Sequence, residues 1–177
     1  MRPRIEILDY NPGWPLRFAE EKAAILEAIG HWVVVIEHIG STAVPGLGAK
    51  PIIDIMVGVR QLADARYSIA PLAAIGYEYV PQFEDEMPER RYFRKGSQTR
   101  HFHLHMVELA SEFWQRHLAF RDYLCAHPEA VREYGALKRR LASRYGTDRE
   151  GYTEAKTKFI RLIEEIAMRP TDRSKDG

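Results

Sequence analysis

Apolar residues recur along this chain with two periods, and each change of period marks an element. Between Trp14 and Ile29 the apolar positions Leu16, Ala19, Ala23, Leu26 and Ile29 are separated by Glu and Lys, which predicts an amphipathic helix stopped by Gly30. Ahead of it, Ile5 to Asp9 predicts a short strand and Tyr10-Asn11-Pro12-Gly13 a turn. Two β-branched runs follow, Val33-Val34-Val35-Ile36 and Ile52-Ile53-Asp54-Ile55-Met56-Val57, and their near-continuous apolarity predicts strands buried on both faces. Gln61 to Ala74 predicts a crossover helix and Gly76 to Val80 a third strand. Arg91 to Lys95 and Arg100 to Val107 predict a β-hairpin turning at Gly96-Ser97.

The last third of the chain is helical in pattern. Ser111 opens a stripe of Trp114, His117, Leu118, Arg121 and Leu124 that His127-Pro128 ends. Glu129 to Tyr145 carries Val131, Tyr134, Leu137 and Leu141, and Thr153 to Met168 carries Phe159, Leu162, Ile163 and Ile166. Arg169 to Gly177 is a polar tail. The expected architecture is an α/β (α+β) domain, a mixed β-sheet flanked by helices, in one domain over residues 1–168.

Composition narrows the setting. With 45% hydrophobic residues in 177, a sizeable core is affordable, and a net charge of +1 lacks the basic excess of a general nucleic-acid binder. The single cysteine, Cys125, excludes an internal disulfide framework and fits a reducing compartment. No apolar leader opens the chain and no run reaches membrane-spanning length, so a cytoplasmic protein without a membrane partner is expected. Nothing in the pattern fixes an oligomeric state.

Three features carry chemistry. Within the second apolar run, Ile52, Asp54 and Met56 share one face, so a lone carboxylate sits in an apolar strand and needs a cation, a metal or a hydrogen-bond donor. Between the two runs, Gly40-Ser41-Thr42 can bring backbone N–H groups to an anion, and Lys50 is the one formal charge in that loop. A phosphate suits such a turn, although neither the P-loop nor the Gly-x-Gly-x-x-Gly spacing is present. Finally, His101, His103 and His105 alternate with Phe102, Leu104 and Met106, so the imidazoles share a pleat row that could ligate a metal or contact phosphate. Arg90, Arg91, Arg94, Lys95 and Arg100 lie nearby.

The run Ile36-Glu37-His38-Ile39-Gly40-Ser41-Thr42-Ala43-Val44-Pro45-Gly46-Leu47, followed by Ala49-Lys50-Pro51 and Ile53-Asp54-Ile55, resembles the signature of the GrpB family. Trp14-Pro15, Phe18, His103-Leu104-His105, Glu108, Phe120 to Leu124, Tyr134, Leu137-Lys138, Tyr152 and Lys156 extend the resemblance over residues 5 to 168. It implies the nucleotidyltransferase superfamily and a polymerase-β-like fold. The superfamily pattern is Gly-Ser, a spacer, then two carboxylates flanking one apolar residue, which bind magnesium. Gly40, Ser41 and Asp54 match, but Met56 occupies the second carboxylate position. On the resemblance Lys138 and Lys156 reach a triphosphate, whereas by pattern alone both are solvated.

The resulting expectation is a metal-dependent, nucleotidyltransferase-like protein that binds a nucleotide or another phosphorylated small molecule. Asp54 would be catalytic; Asp54, His103 and His105 would hold a divalent metal, magnesium or manganese, with zinc as an alternative. Gly40, Ser41, Thr42, Lys50, Lys138 and Lys156 would bind phosphate. The alternative is a non-catalytic nucleotide-binding or helper module, since GrpB-like domains occur fused to dephospho-CoA kinases; metal-dependent hydrolysis through the histidine row is a third. To replace the carboxylate missing at Met56, Glu37 and Glu108 are out of phase with the Gly40 turn and the histidines, leaving a bulge or the acidic loop Glu84 to Glu86.

Overall fold

The computed structural model describes residues 4–96 and 101–169. Helix α1 (Trp14–Ile29) leads into strand β1 (Val33–Ile39), a 3-10 turn (Ser41–Ala43) and strand β2 (Ile53–Val59). A 3-10 stretch (Leu62–Ser68) and helix α2 (Ile69–Ala74) carry the chain to strand β3 (Tyr77–Tyr79), followed by β4 (Arg90–Lys95) and β5 (Phe102–Glu108). Helices α3 (Glu112–Ala126), α4 (Pro128–Tyr145) and α5 (Arg149–Met168) complete it. The strands form one mixed sheet in the order β1-β2-β5-β4-β3, with β2 and β5 parallel and every other pair antiparallel.

Each sheet face has its own cover, as the alternation of side chains requires. Ile53, Ile55, Val57, Leu104, Met106 and Phe93 pack against Trp14, Ile25 and Ile29 of α1 and Leu72 of α2. On the opposite face Met56, Ile39 and Val107 meet Phe113 and Trp114 of α3. Helices α4 and α5 pack beyond α3, with Tyr134, Phe120, Leu124 and Ile163 closing on Val44 and Leu47 of the β1–β2 loop. Ser111 caps α3 by accepting from the Trp114 amide at 3.3 Å. No helix among the described residues is long and apolar enough to cross a membrane.

Two expected elements take other forms. Ile5 to Asp9 is not a strand: Leu8 makes one isolated bridge to Ala49, and Ile5 is buried against Leu141, Ala142 and Tyr152 instead. With only a single loop residue to pair with, the segment has no ladder to join. The expected helix over 61–74 begins as a 3-10 stretch, because Pro71 lacks the N–H that a continuous α-helix would need at that point. Helix α2 therefore starts two residues ahead of it. The hairpin turn beyond Gly96, Arg100 and the tail from residue 170 lie outside the described residues.

Gly58 fixes how closely α3 approaches the sheet. A Cβ there would lie 3.0 Å from the Trp114 ring and 3.1 Å from both Leu109 and Val35. Gly58→Ala should therefore destabilise the fold by about 1–3 kcal/mol through overpacking, read as a lowered urea midpoint at unchanged m-value.

Candidate functional site

The β1–β2 loop is built around Gly40. Its φ of 71° lies in the left-handed region, and a Cβ there would come within 2.6 Å of Asp54 Oδ2. Only glycine permits both the turn and the approach to the carboxylate. Thr42, 1% exposed, donates its hydroxyl hydrogen to the Ile52 carbonyl at 3.1 Å and so accepts from His38 Nε2 at 3.0 Å. Burial lowers His38 to a pKa of about 4, the repulsion of Arg121 adding to it and the Asp54 charge opposing it. The Thr42 hydroxyl thus clasps the loop to β2. Ser41 stands beside the buried phenol of Tyr134, whose pKa burial pushes up.

Asp54 and His103 are opposite each other in the parallel β2–β5 register, and Met56 faces His105. Asp54 Oδ1 lies 3.3 Å from His103 Nδ1 and 3.7 Å from His105 Nε2. Burial would raise the Asp54 pKa, but the hydrogen bonds and charges of the two imidazoles outweigh it and hold the carboxyl well below its usual range. His105 is driven down by burial, which its contact with Asp54 only partly offsets. On its other side Arg90 Nη1 is 3.3 Å from His105 Nδ1. A guanidinium can only donate, so Nδ1 accepts and the His105 proton is on Nε2, toward Asp54.

The antiparallel register corrects one reading of phase. Glu37 pairs with Met56 and Ile39 with Asp54, so Glu37 is on the Asp54 face after all. Arg121 takes it, with Nη1 2.6 Å from Glu37 Oε2 and 3.0 Å from the His38 carbonyl. Glu108 accepts from the Leu62 amide, and Glu84 is bound by Tyr79 and Arg91. None of the three lines the cleft.

That cleft, about 400 Å3, is where the expected site residues meet: Gly40, Ser41, Thr42, Lys50, Asp54, His103, His105, Lys138 and Lys156 all line it. Its far wall is cationic. Lys138, 2% exposed, donates to the Gly48 carbonyl at 2.5 Å and lies 4.7 Å from the Tyr134 ring centre. Lys156 and Lys50 share the Tyr152 ring at 4.6 and 5.5 Å. Lys138 is therefore buried rather than solvated, contrary to its pattern, and Lys50 and Lys156 are half-buried against the Tyr152 ring. Burial, reinforced by Lys156, Arg139 and Lys50, lowers Lys138 to about 7; burial and Lys50, opposed by Asp54, lower Lys156 to about 8. Lys50 is lowered as well, chiefly by burial.

Four further residues went unread as site residues. Tyr134 and Tyr152 supply the ring faces; they were visible only as helix-stripe or motif positions. His117 joins the cleft from α3, its Nδ1 held 2.8 Å from the Phe113 carbonyl. Glu164, also buried, lies eight residues beyond Lys156 on α5, and the spacing Lys156, Ile160, Glu164 was its only signal.

Among the described residues no three His, Cys, Asp or Glu side chains are grouped to hold a metal ion. The donors fit a two-magnesium centre poorly, since magnesium takes oxygen ligands and Asp54 has a buried thioether, Met56, where a second carboxylate would be. His105 presents an N–H, not a lone pair, toward Asp54.

The mixed five-stranded sheet flanked by helices, which carries the Gly-Ser turn and the strand carboxylate, is an α+β domain of nucleotidyltransferase-like fold. In fold alone it resembles the GLD-2/RNP-8 complex, with a TM-score of 0.57 at 10% identity over 93% of this chain and 63% of that one. Within that class the chain belongs to the GrpB family, whose description, GrpB protein, matches residues 4–165. It is similar to the conserved protein GrpB from Enterococcus faecalis, with a TM-score of 0.85 and 37% identity over 92% of this chain and 96% of that one. It is 39% identical to UPF0157 protein YqkA of Bacillus subtilis over 94% of this chain, but spans only 48% of that relative's length. A dephospho-CoA kinase of Mycolicibacterium paratuberculosis is 28% identical over 90% of this chain, which covers 45% of the kinase.

The lowered lysines have a measurable consequence in the free protein. Unfolded lysine keeps its proton to a pKa of about 10.4, so from about pH 8 to 10 the unfolded chain binds protons that folded Lys138 has lost, and stability rises with pH. Denaturant titrations should show this slope reduced in Lys138→Met by up to about 1.4 kcal/mol per pH unit. Equal slopes would show that Lys138 is not desolvated.

Proposed function

We propose that the cleft binds the phosphates of a nucleotide or a related phosphorylated small molecule. The observation that carries this reading is the convergence of Lys50, Lys138 and Lys156 on two tyrosine faces beside the Gly40-Ser41 turn. Cations held together partly out of water, Lys138 buried and Lys50 and Lys156 half-buried, without an equal number of carboxylates are strained by desolvation and repulsion, and a polyanion relieves both. Ser41 and the backbone after Gly40 add donors where the chain turns. The fold likeness supports a nucleoside phosphate over other anions, and the dephospho-CoA kinase relative is consistent with a ligand of that chemistry. Magnesium or manganese enters this reading as a counter-ion of the phosphates, with no step assigned to it. Such a ligand, and a lone thiol at Cys125, are consistent with a cytoplasmic setting.

The test is thermal denaturation with each of the four ribonucleoside triphosphates and with dephospho-CoA, with and without magnesium. A ligand at a hundredfold its Kd contributes about 2.7 kcal/mol, enough to raise Tm by several degrees in a domain of this size. The shift should vanish in the double variant Ser41→Ala, Lys50→Ala. If none of these ligands moves Tm, phosphate binding by the cleft is refuted.

A further inference from the structure

We propose that His103 is a nucleophile that accepts a phosphorus-linked group from the ligand and carries it as a covalent phosphoramidate. This rests on the phosphate-binding reading and goes beyond it, from binding to a chemical step.

The geometry around one carboxylate points to it. Asp54 Oδ1 stands 3.3 Å from His103 Nδ1, and an ionised carboxylate only accepts, so the His103 proton is on Nδ1. That leaves the lone pair on Nε2, which accepts from no protein donor among the described residues, on a side chain lining the cleft. The second imidazole is arranged differently: His105 gives its proton to the Asp54 side and has its lone pair taken by Arg90. Of two histidines on the same pleat row, then, only His103 is set up to attack. Of the other nucleophiles lining the cleft, Ser41 stands beside Tyr134 and Lys138 donates to the Gly48 carbonyl, while His117 has a neutral carbonyl, that of Phe113, rather than a carboxylate behind its Nδ1 to face an imidazolium.

The step balances without an added reagent. The Nε2 lone pair attacks a phosphorus of the ligand's phosphoric anhydride, an N–P bond forms, and the bridging P–O bond breaks with its electron pair leaving on the departing phosphate or pyrophosphate. Nδ1 keeps its proton, so the modified ring is an imidazolium whose positive charge Asp54 faces, and Lys50, Lys138 and Lys156 receive the charge of the leaving group. An acceptor hydroxyl or water then attacks phosphorus, the N–P electron pair returns to Nε2, and the acceptor's proton goes to solvent. A covalent route of this kind replaces part of what a second metal-binding carboxylate at position 56 would supply.

The experiment is radiolabelling of the full chain with the four ribonucleoside triphosphates labelled at the α-phosphorus, and in parallel with ATP labelled at the γ-phosphorus. Label stable to alkali and lost in acid, mapped to His103 by peptide mass spectrometry of the wild-type protein, is the expected result. The α label would identify nucleotidyl transfer and the γ label phosphoryl transfer. His103→Asn should lose the label entirely, and Asp54→Asn should slow its formation by about tenfold or more by releasing the ring orientation, both checked for folding by their melting curves. Label on a lysine, label surviving in His103→Asn, or no label at all overturns the proposal. Absence of label together with a nucleotide-dependent rise in Tm removes the covalent step alone. Absence of both removes the binding reading as well.

Discussion

The parallel ladder between β2 and β5 is the constraint from which the site follows. It sets Asp54 level with His103 and Met56 level with His105, on the face that α3 and α5 cover rather than the face that packs on α1. A slip of one residue would turn the carboxylate into the apolar layer of Trp14, Ile25 and Ile29, where an ion has no partner. The apolar residues of the same two strands, Ile53, Ile55, Leu104 and Met106, pin that register by their burial. Core packing and site assembly are therefore one event: the forces that bury the isoleucines deliver the carboxylate to its imidazoles.

Around Asp54 the charges are graded by what faces them. Glu37 is on the same sheet face, but Arg121 of α3 neutralises it and ties it to the end of β1. Arg90, packed over the Tyr92 ring, orients His105. The three lysines across the cleft have carbonyl and ring faces as their neighbours, which stabilise an ammonium less than water does, and that is why they lose protons so readily. A cleft lined by three crowded ammonium groups and two carboxylates, Asp54 and Glu164, is set up for an anion.

Much of this was legible in the sequence. The Gly40-Ser41 turn, Asp54 inside an apolar run and the alternating histidines are local signals, in which period two and a glycine decide the geometry within a few residues. Helix α1 was readable end to end because its apolar stripe meets a glycine at one end and Trp14-Pro15 at the other. What local pattern could not carry was partnership. Lys138 and Lys156 look solvated until α4 and α5 fold over the β1–β2 loop. Glu37 was assigned to a face by its phase with Gly40, but β1 ends at Ile39 and the chain turns at a positive φ, so phase with Gly40 says nothing about Asp54. Ile5 to Asp9 has strand composition and no strand to pair with.

The claim that joins these observations is that the cleft holds cations in deficit of protons and of counter-charge, and that its ligand restores both. Isothermal titration calorimetry at pH 8, with the nucleotide that stabilises the protein and two buffers of different ionisation enthalpy, measures this directly. An anion seated among Lys50, Lys138 and Lys156 raises their pKa values, so binding should take up protons and the observed enthalpy should change in proportion to the buffer's ionisation enthalpy. Heats that are the same in both buffers, or that report proton release, would contradict the account.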